Sequence, residues 1–245
     1  MTADHPVTRI AMWSGPRNIS TAMMYSFASR PDCVVWDEPF YAFYLSLSGI
    51  SHPMEQVVID AGIESYDEAV TQCLTGPGEP ASVFYQKHMT HHMLPGYDRG
   101  WMYGLSNAFL IRAPERVLAS YAKKRAEVTL RDIGFIEQAE IFDAVAQHLG
   151  EAPPVVDTDD ILANPKRTLG RLCERLGIAF DEAMLSWKPG PKPYDGAWAP
   201  HWYNAVWQST GFNAPPADDV ALPDDLRKIA DEARPLYEKL KAHRL

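Results

Sequence analysis

Residues Arg9–Thr21, RIAMWSGPRNIST, constrain the fold more than any other stretch. A short apolar run with strand character reaches Gly15-Pro16. Arg17 follows, and then Ser20 and Thr21 open a helix. A strand, a tight turn and a helix start in that order aim backbone N–H groups at one point, which is what an anion-binding loop requires. Gly15 allows the backbone to approach the anion, and Arg17, Ser20 and Thr21 add side-chain donors. The bland alternative is an ordinary strand-to-helix turn with a solvated arginine.

The nucleotide-triphosphate version of such a loop reads G-x-x-x-x-G-K-[ST], with its last hydroxyl on magnesium. This chain lacks the second glycine and the Lys-Ser/Thr pair. Its donors suit an anionic group that needs no metal.

The rest of the chain alternates strands and helices. Strands are expected at Thr8–Ser14, Cys33–Asp37, Val83–Lys87, Ala108–Arg112 and Pro154–Thr158. Helices are expected at Ile19–Ser29, from Pro114, at Phe135–Leu149, from Asn164-Pro165 to Gly177, and at Pro223–Leu240 with a kink at Pro235. This pattern predicts an α/β fold, a three-layer parallel sheet of about five strands with helices on both faces. Ligands of such sheets bind beyond the carboxyl ends of the strands. The Gly15 loop, Glu38, Lys87 and Arg112 all follow strand ends, so one cleft can hold them.

With 245 residues the chain is long enough for one large domain, and we read it as one over 1–245. The apolar share of 46% and charged share of 22% are ordinary for a globular chain. A net charge of −9 argues against nucleic acid as a partner. No apolar run is long enough to span a bilayer, and MTADHPVTRIAM lacks the pattern of a secretory signal. Cys33, Cys73 and Cys173 are widely spaced and odd in number. They fit a reducing compartment, so a cytoplasmic location is expected.

Arg112 ends a strand, and Ser120 lies in the helix that follows. An arginine fork and a hydroxyl so placed suit a second phosphate. Arg116, Lys123, Lys124 and Arg125 add positive field. On its own this is also what a solvated basic helix face looks like.

Taken together, P-[KR]-x-x-[ST]-T at Pro16–Thr21 and the later strand-R-x7-S at Arg112–Ser120 resemble the sulfotransferase family. A third match is Asp159-Asp160-Ile161-Leu162-Ala163-Asn164-Pro165-Lys166 with Leu169, Leu172, Leu176 and Gly177. It looks like that family's E-D-L-x-x-x-P…L…L-G segment. The resemblance runs from about residue 8 to about 180. It implies a P-loop fold resembling nucleoside triphosphate hydrolases. The donor it implies is 3′-phosphoadenosine 5′-phosphosulfate, used without a metal. Gly15, Pro16, Arg17, Asn18, Ser20 and Thr21 would hold the 5′-phosphosulfate, and Arg112 and Ser120 the 3′-phosphate. Lys188, Gly190, Lys192, Gly196 and Trp198 are a loose counterpart of a late basic-glycine loop. Ala22 stands where many members carry the tryptophan that stacks on adenine; Trp198 or Trp202 would have to replace it.

A sulfuryl transfer to an alcohol or amine needs a base. Glu38, in DEPF after the second strand, resembles the Glu-Pro element of members acting on carbohydrate hydroxyls. Residues 86–95, QKHMTHHMLP, look like the K-T-H-L-P element of aryl and steroid members, where histidine is the base. Met89 falls where that histidine would be, which leaves His88, His91 and His92 as substitutes. Glu38 is preferred and the histidines stay open. A zinc site of those histidines lacks an obvious fourth ligand. Lys87, with Arg17, would neutralise charge at the transferring group; the alternative is a surface lysine at a strand end.

Segments 39–80 and 187–216 are aromatic and irregular. They are expected to cover the donor and build the pocket for a small-molecule or carbohydrate acceptor. A homodimer is compatible with the sequence, which does not fix the oligomeric state. Two other functions fit a phosphate loop: a nucleotide-dependent kinase of related fold, and a nucleotide-binding module without catalysis.

Overall fold

Strands β1 (Thr8–Ser14), β2 (Cys33–Asp37), β3 (Val83–Met89), β4 (Ser106–Ile111) and β5 (Val155–Asp157) form one parallel sheet in the order β2-β3-β1-β4-β5. This is a computed structural model that describes residues 7–77, 81–123, 127–214 and 220–245. Gly78, Lys124, Arg125 and the far ends of segments 39–80 and 187–216 lie outside the described residues.

The helices are α1 (Ser20–Ala28), α2 (Tyr41–Ser48), α3 (Glu55–Ala61), α4 (Tyr66–Thr75), α5 (Pro114–Tyr121), α6 (Phe135–Leu149), α7 (Thr158–Ala163), α8 (Pro165–Arg175), α9 (Ala199–Trp202), α10 (Asn204–Trp207) and α11 (Asp224–Lys241). The strands read as near-continuous apolar runs because both sheet faces are covered. Ile10 and Met12 pack with Met23 and Phe27 of α1 and Leu169 and Leu172 of α8. Ala11 and Trp13 face the other way, toward Ala69 of α4, Val117 of α5, Phe142 of α6 and Tyr237 of α11. Alternate residues of one strand thus serve two cores. The three layers expected from the sequence are present.

Local chemistry sets the helix starts near the site. The Asn164 side chain accepts from the Arg167 N–H at 3.1 Å and opens α8, with Pro165 at its first position. Pro114 opens α5 in the same way. Helix α1 is different. Its preceding residue, Ile19, sits at φ 56°, no side chain caps it, and no acidic residue stands in its first turn.

The structure departs from the sequence reading at several places: β3 runs on to Met89, and β4 starts at Ser106 and ends at Ile111, which leaves Arg112 just past the strand. Thr158 does not end a strand; the Asp157 carboxylate accepts from the Asp159 N–H at 3.0 Å and starts α7 there. The Pro-rich stretch after Trp187 contains α9 and α10. Helix α11 begins at Asp224 and continues through Pro235, which lacks only its own N–H.

Candidate active site

A cavity of about 380 Å³ opens beyond the carboxyl ends of the strands, where β1 is flanked by β3 on one side and β4 on the other. This is where the strand order reverses direction, the place such sheets use for ligands. The volume lies in the range of small-ligand pockets.

The loop after β1 forms one wall. Arg17 and Ile19 both have left-handed backbone, at φ 63° and φ 56°. Left-handed non-glycine residues cost on the order of 1–3 kcal/mol each and persist where the surroundings hold them. Asn18, between them, is buried, and its side-chain amide donates to the Leu110 carbonyl at 3.3 Å. Asn18 therefore ties the loop to β4 and does not face the cavity, as the sequence reading had it do. Gly15 has a similar role: a Cβ there would collide with the Ile133 carbonyl oxygen. The glycine accommodates neighbouring backbone. Pro16, Arg17, Ser20 and Thr21 do line the cavity.

The two basic elements separated in sequence meet here. Arg17 donates from Nε to the Ser120 hydroxyl at 2.9 Å. Arg112 donates from Nη1 to the Arg17 carbonyl at 2.7 Å. Neither arginine forms an ion pair among the described residues, and Arg112 Nε is buried without a hydrogen-bond partner. Burial holds both guanidiniums below their ordinary pKa. Two half-desolvated cations with unused donors form an anion site, because a positive charge removed from water is stabilised by a negative ligand. Ser14 Oγ, at the end of β1, is also buried without a partner.

The opposite wall holds carboxylates. Asp37 and Lys87 are aligned neighbours on β2 and β3, so they point to the same side of the sheet. Lys87 Nζ lies 2.7 Å from Asp37 Oδ1, 2.6 Å from Glu38 Oε1 and 2.7 Å from the Tyr203 hydroxyl. An ammonium has three hydrogens, and all three are engaged. The Tyr203 hydroxyl donates onward to Asp37 Oδ2 at 2.7 Å, which also accepts the Gly196 N–H at 3.1 Å. Trp198 Nε1 donates to Tyr203 at 3.1 Å, and the Thr21 hydroxyl bonds the same phenol.

Glu38 sits at φ 46°, a strained backbone just past the end of β2. Burial pushes its carboxyl up to about 7, with Lys87 pulling it down and Asp37 pushing it further up. Lys87 is moved the other way from what burial alone would do: Asp37 and Glu38 outweigh desolvation and raise it. The result is a lysine fixed as ammonium beside a carboxyl that exchanges its proton near neutral pH.

The histidines divide. His88 follows Lys87 on β3 and so points to the other face, where it stacks on Trp13 at 4.4 Å and its Nε2 bonds Gln86 Oε1 at 3.0 Å. It does not reach the cavity. This corrects its assignment as a substitute base, and it separates His88 from the other two histidines of the zinc reading. His91 and His92 do line the cavity. Burial lowers His91 to about 3 and His92 well below its ordinary value, so both are neutral imidazoles. His92 stacks between Tyr41 at 4.7 Å and Tyr44 at 4.8 Å, with Nε2 4.0 Å from Glu38 Oε2.

The late loop is placed differently from its expected role. Lys192 turns its ammonium onto the carbonyls of Lys188 and Gly190, at 2.6 and 2.9 Å. Lys188, Gly190 and Lys192 do not line the cavity, whereas Trp198, Trp202 and Phe212 do. Ala22 also lines it. Among the described residues of segment 39–80, Tyr41 and His52 reach the cavity, while Tyr66, Ala69 and Cys73 of α4 join the core.

Asp37 and Tyr203 are the residues the sequence reading missed. Asp37 read as the last residue of a strand, and Tyr203 as one aromatic among many. The neighbouring of β2 and β3, which makes Asp37 the partner of Lys87, was the missing information.

Comparisons with known proteins bear on the family and the fold. The chain matches the family model described as "Sulfotransferase domain" over residues 8–244. It is 36% identical over 234 residues to Branched-chain-amino-acid aminotransferase-like protein 1 of Arabidopsis thaliana, covering 96% of this chain and 42% of that protein. The chain thus spans less than half the length of the curated relatives it matches. Among solved structures it resembles the sulfotransferase domain from the curacin biosynthetic pathway, with a TM-score of 0.53, 14% identity, and coverage of 94% of this chain and 99% of that one. It also resembles the sulfotransferase domain of the Synechococcus PCC 7002 olefin synthase, with a TM-score of 0.50, 17% identity, and coverage of 95% and 97%. At these identities the likeness is one of fold.

Proposed function

The chain belongs to the sulfotransferase family, and from that premise we propose that it transfers a sulfuryl group from 3′-phosphoadenosine 5′-phosphosulfate to a hydroxyl or amine of a small-molecule or carbohydrate acceptor. The observation that carries the reading is the pair Arg17 and Arg112. Both are half-buried beside the cavity, joined through the loop backbone, and free of ion-pair partners among the described residues. The donor, with anionic groups at its 3′ and 5′ positions, supplies the negative charge that this pair lacks. The unpartnered Arg112 Nε fits such a ligand.

Each residue then has a task. Arg17, Ser20 and Thr21 hold the 5′ end, and Arg112 and Ser120 the 3′ end. Glu38 takes the proton from the acceptor as the new O–S or N–S bond forms and the bridging S–O bond breaks; its pKa near 7 suits that exchange. Arg17 offsets the charge gathering on the departing phosphate. Lys87, with its hydrogens engaged, acts by orienting Glu38 and not by touching the transferring group. His91, His92 and Tyr41 border the acceptor side.

The printed name of the plant relatives points to amino-group transfer, and it belongs to proteins more than twice as long as the matched stretch. In this chain the buried Lys87 is held as ammonium, whereas Schiff-base chemistry needs a neutral amine.

Isothermal titration with adenosine 3′,5′-bisphosphate tests the reading. Binding without added magnesium is expected. No binding at millimolar ligand overturns it, and ATP turnover that requires magnesium would favour a kinase.

A further inference from the structure

We propose that Tyr203 and Asp37 are positioning residues, which latch the α9–α10 segment over the cavity and hold Lys87 against Glu38. The geometry carries this. Tyr203 lies between α9 and α10, a segment whose Trp202, Ala205 and Val206 line the cavity. Its phenol is the meeting point of three parts of the molecule. It accepts from Lys87 at the end of β3, donates to Asp37 at the end of β2, and receives Trp198 Nε1 from its own segment. A second tie runs from the Gly196 N–H to the same Asp37 carboxylate oxygen. No apolar contact could serve in this way, because the bonds form only when the segment lies over the strand ends.

The latch and the base are therefore one structure. With Tyr203 in place, Lys87 has no free hydrogen and the Glu38 side chain is largely withdrawn from water. When the segment lifts, Asp37, Lys87 and Glu38 regain water, and the desolvation that tunes Glu38 is lost. The groups facing Glu38 are Lys87 from β3, Asp37 from β2, His92 from the turn after β3, Tyr41 from α2 and Tyr203 from the segment itself. Only Tyr203 arrives and leaves with the segment. Covering the cavity would then create the working base, and the acceptor would lose its proton only in a closed site. This deepens the sulfuryl-transfer reading, since it rests on Glu38 serving as the base.

Two measurements that need no acceptor test it, both with saturating adenosine 3′,5′-bisphosphate. The first is a carbon-13 NMR titration of glutamate-labelled protein, with the Glu38 resonance assigned by Glu38→Gln. In Asp37→Asn the Glu38 midpoint is expected to fall by about one unit or more, because a neighbouring negative charge is removed and Lys87 is left to Glu38 alone. The second is chymotrypsin cleavage within residues 199–214. Tyr203→Phe is expected to speed it about threefold or more, since it keeps the ring and removes only the latch oxygen. A Glu38 midpoint that does not move in Asp37→Asn overturns the proposal, as does unchanged cleavage in Tyr203→Phe. Should Asp37→Asn fail to fold, the cleavage arm decides. Loss of bisphosphate binding in the unmodified protein would instead overturn the donor assignment, and the cleavage arm, run without ligand, would still judge the latch.

Discussion

Glu38→Gln tests the buried carboxyl independently of any reaction. Burial raises Glu38 from 4.5 to about 7 in the native state. In the unfolded chain the same group loses its proton near its ordinary value. Between these two values the native state holds more protons than the unfolded state, so stability falls as pH rises. A gap of about 2.5 units at ~1.4 kcal/mol per unit amounts to about 3 kcal/mol, lost between pH 4.5 and pH 7. Glutamine cannot lose a proton, so the variant escapes this loss. Lys87 does not blur the comparison: its raised pKa stabilises the fold throughout this window and fails only above it. The buried histidines, held low, destabilise the fold as pH drops, and they do so in both proteins. Urea unfolding of both proteins from pH 4.5 to 8 is the assay. The stability difference is expected to move in favour of the variant by about 3 kcal/mol across the range. Parallel curves would refute the claim that Glu38 is a desolvated carboxyl poised near neutrality.

Three further outcomes are expected. Arg17→Ala and Arg112→Ala should each weaken binding of adenosine 3′,5′-bisphosphate by about 2 kcal/mol, roughly thirtyfold in Kd, and calorimetry showing unchanged affinity in both would refute the anion assignment. His88→Leu should lower the urea-unfolding free energy by about 1–3 kcal/mol, while the acid limb of the activity profile stays in place; a lost limb would return His88 to the chemistry. Gly15→Ala should lower the melting temperature by an amount corresponding to about 1–3 kcal/mol, because the new methyl group meets the Ile133 carbonyl and not a cavity; an unchanged melt would count against that contact.

Much of the fold was legible because strand and helix leave different marks. The runs at Thr8–Ser14 and Cys33–Asp37 are too short and too apolar for a surface helix, and Asn164-Pro165 is a helix start with a stated mechanism. The segment after Pro154 was misread because Asp157 serves twice, as the last residue of β5 and as the cap of α7. At the site, a one-residue step separated success from failure. Lys87 and His88 are adjacent and equally polar, yet the period of two sends one to the cavity and the other to Trp13. The sequence contains that alternation but not which face carries the cavity. Asp37 and Tyr203 were less legible still, since their roles depend on β2 lying beside β3 and on a late segment folding back across both.

The two ends of the cavity differ in charge, and under the proposed transfer that difference would set its direction. Arg17 has a five-donor fork and places one N–H on Ser120, and its terminal nitrogens have no partner among the described residues. Lys87 has three donors and gives all of them to Asp37, Glu38 and Tyr203. Among the described residues, the positive charge without an ion-pair partner therefore lies at the loop and at Arg112. The charge at the far wall is matched within the protein. On the proposed reading, an anionic donor would be drawn to the first end and find no free cation among the described residues at the second. Glu38, raised by burial toward neutrality, would stand on the acceptor side. Charge would then build on the departing phosphate near Arg17 while the proton moved away to Glu38, so that the fixed groups of the site would stabilise both movements at once.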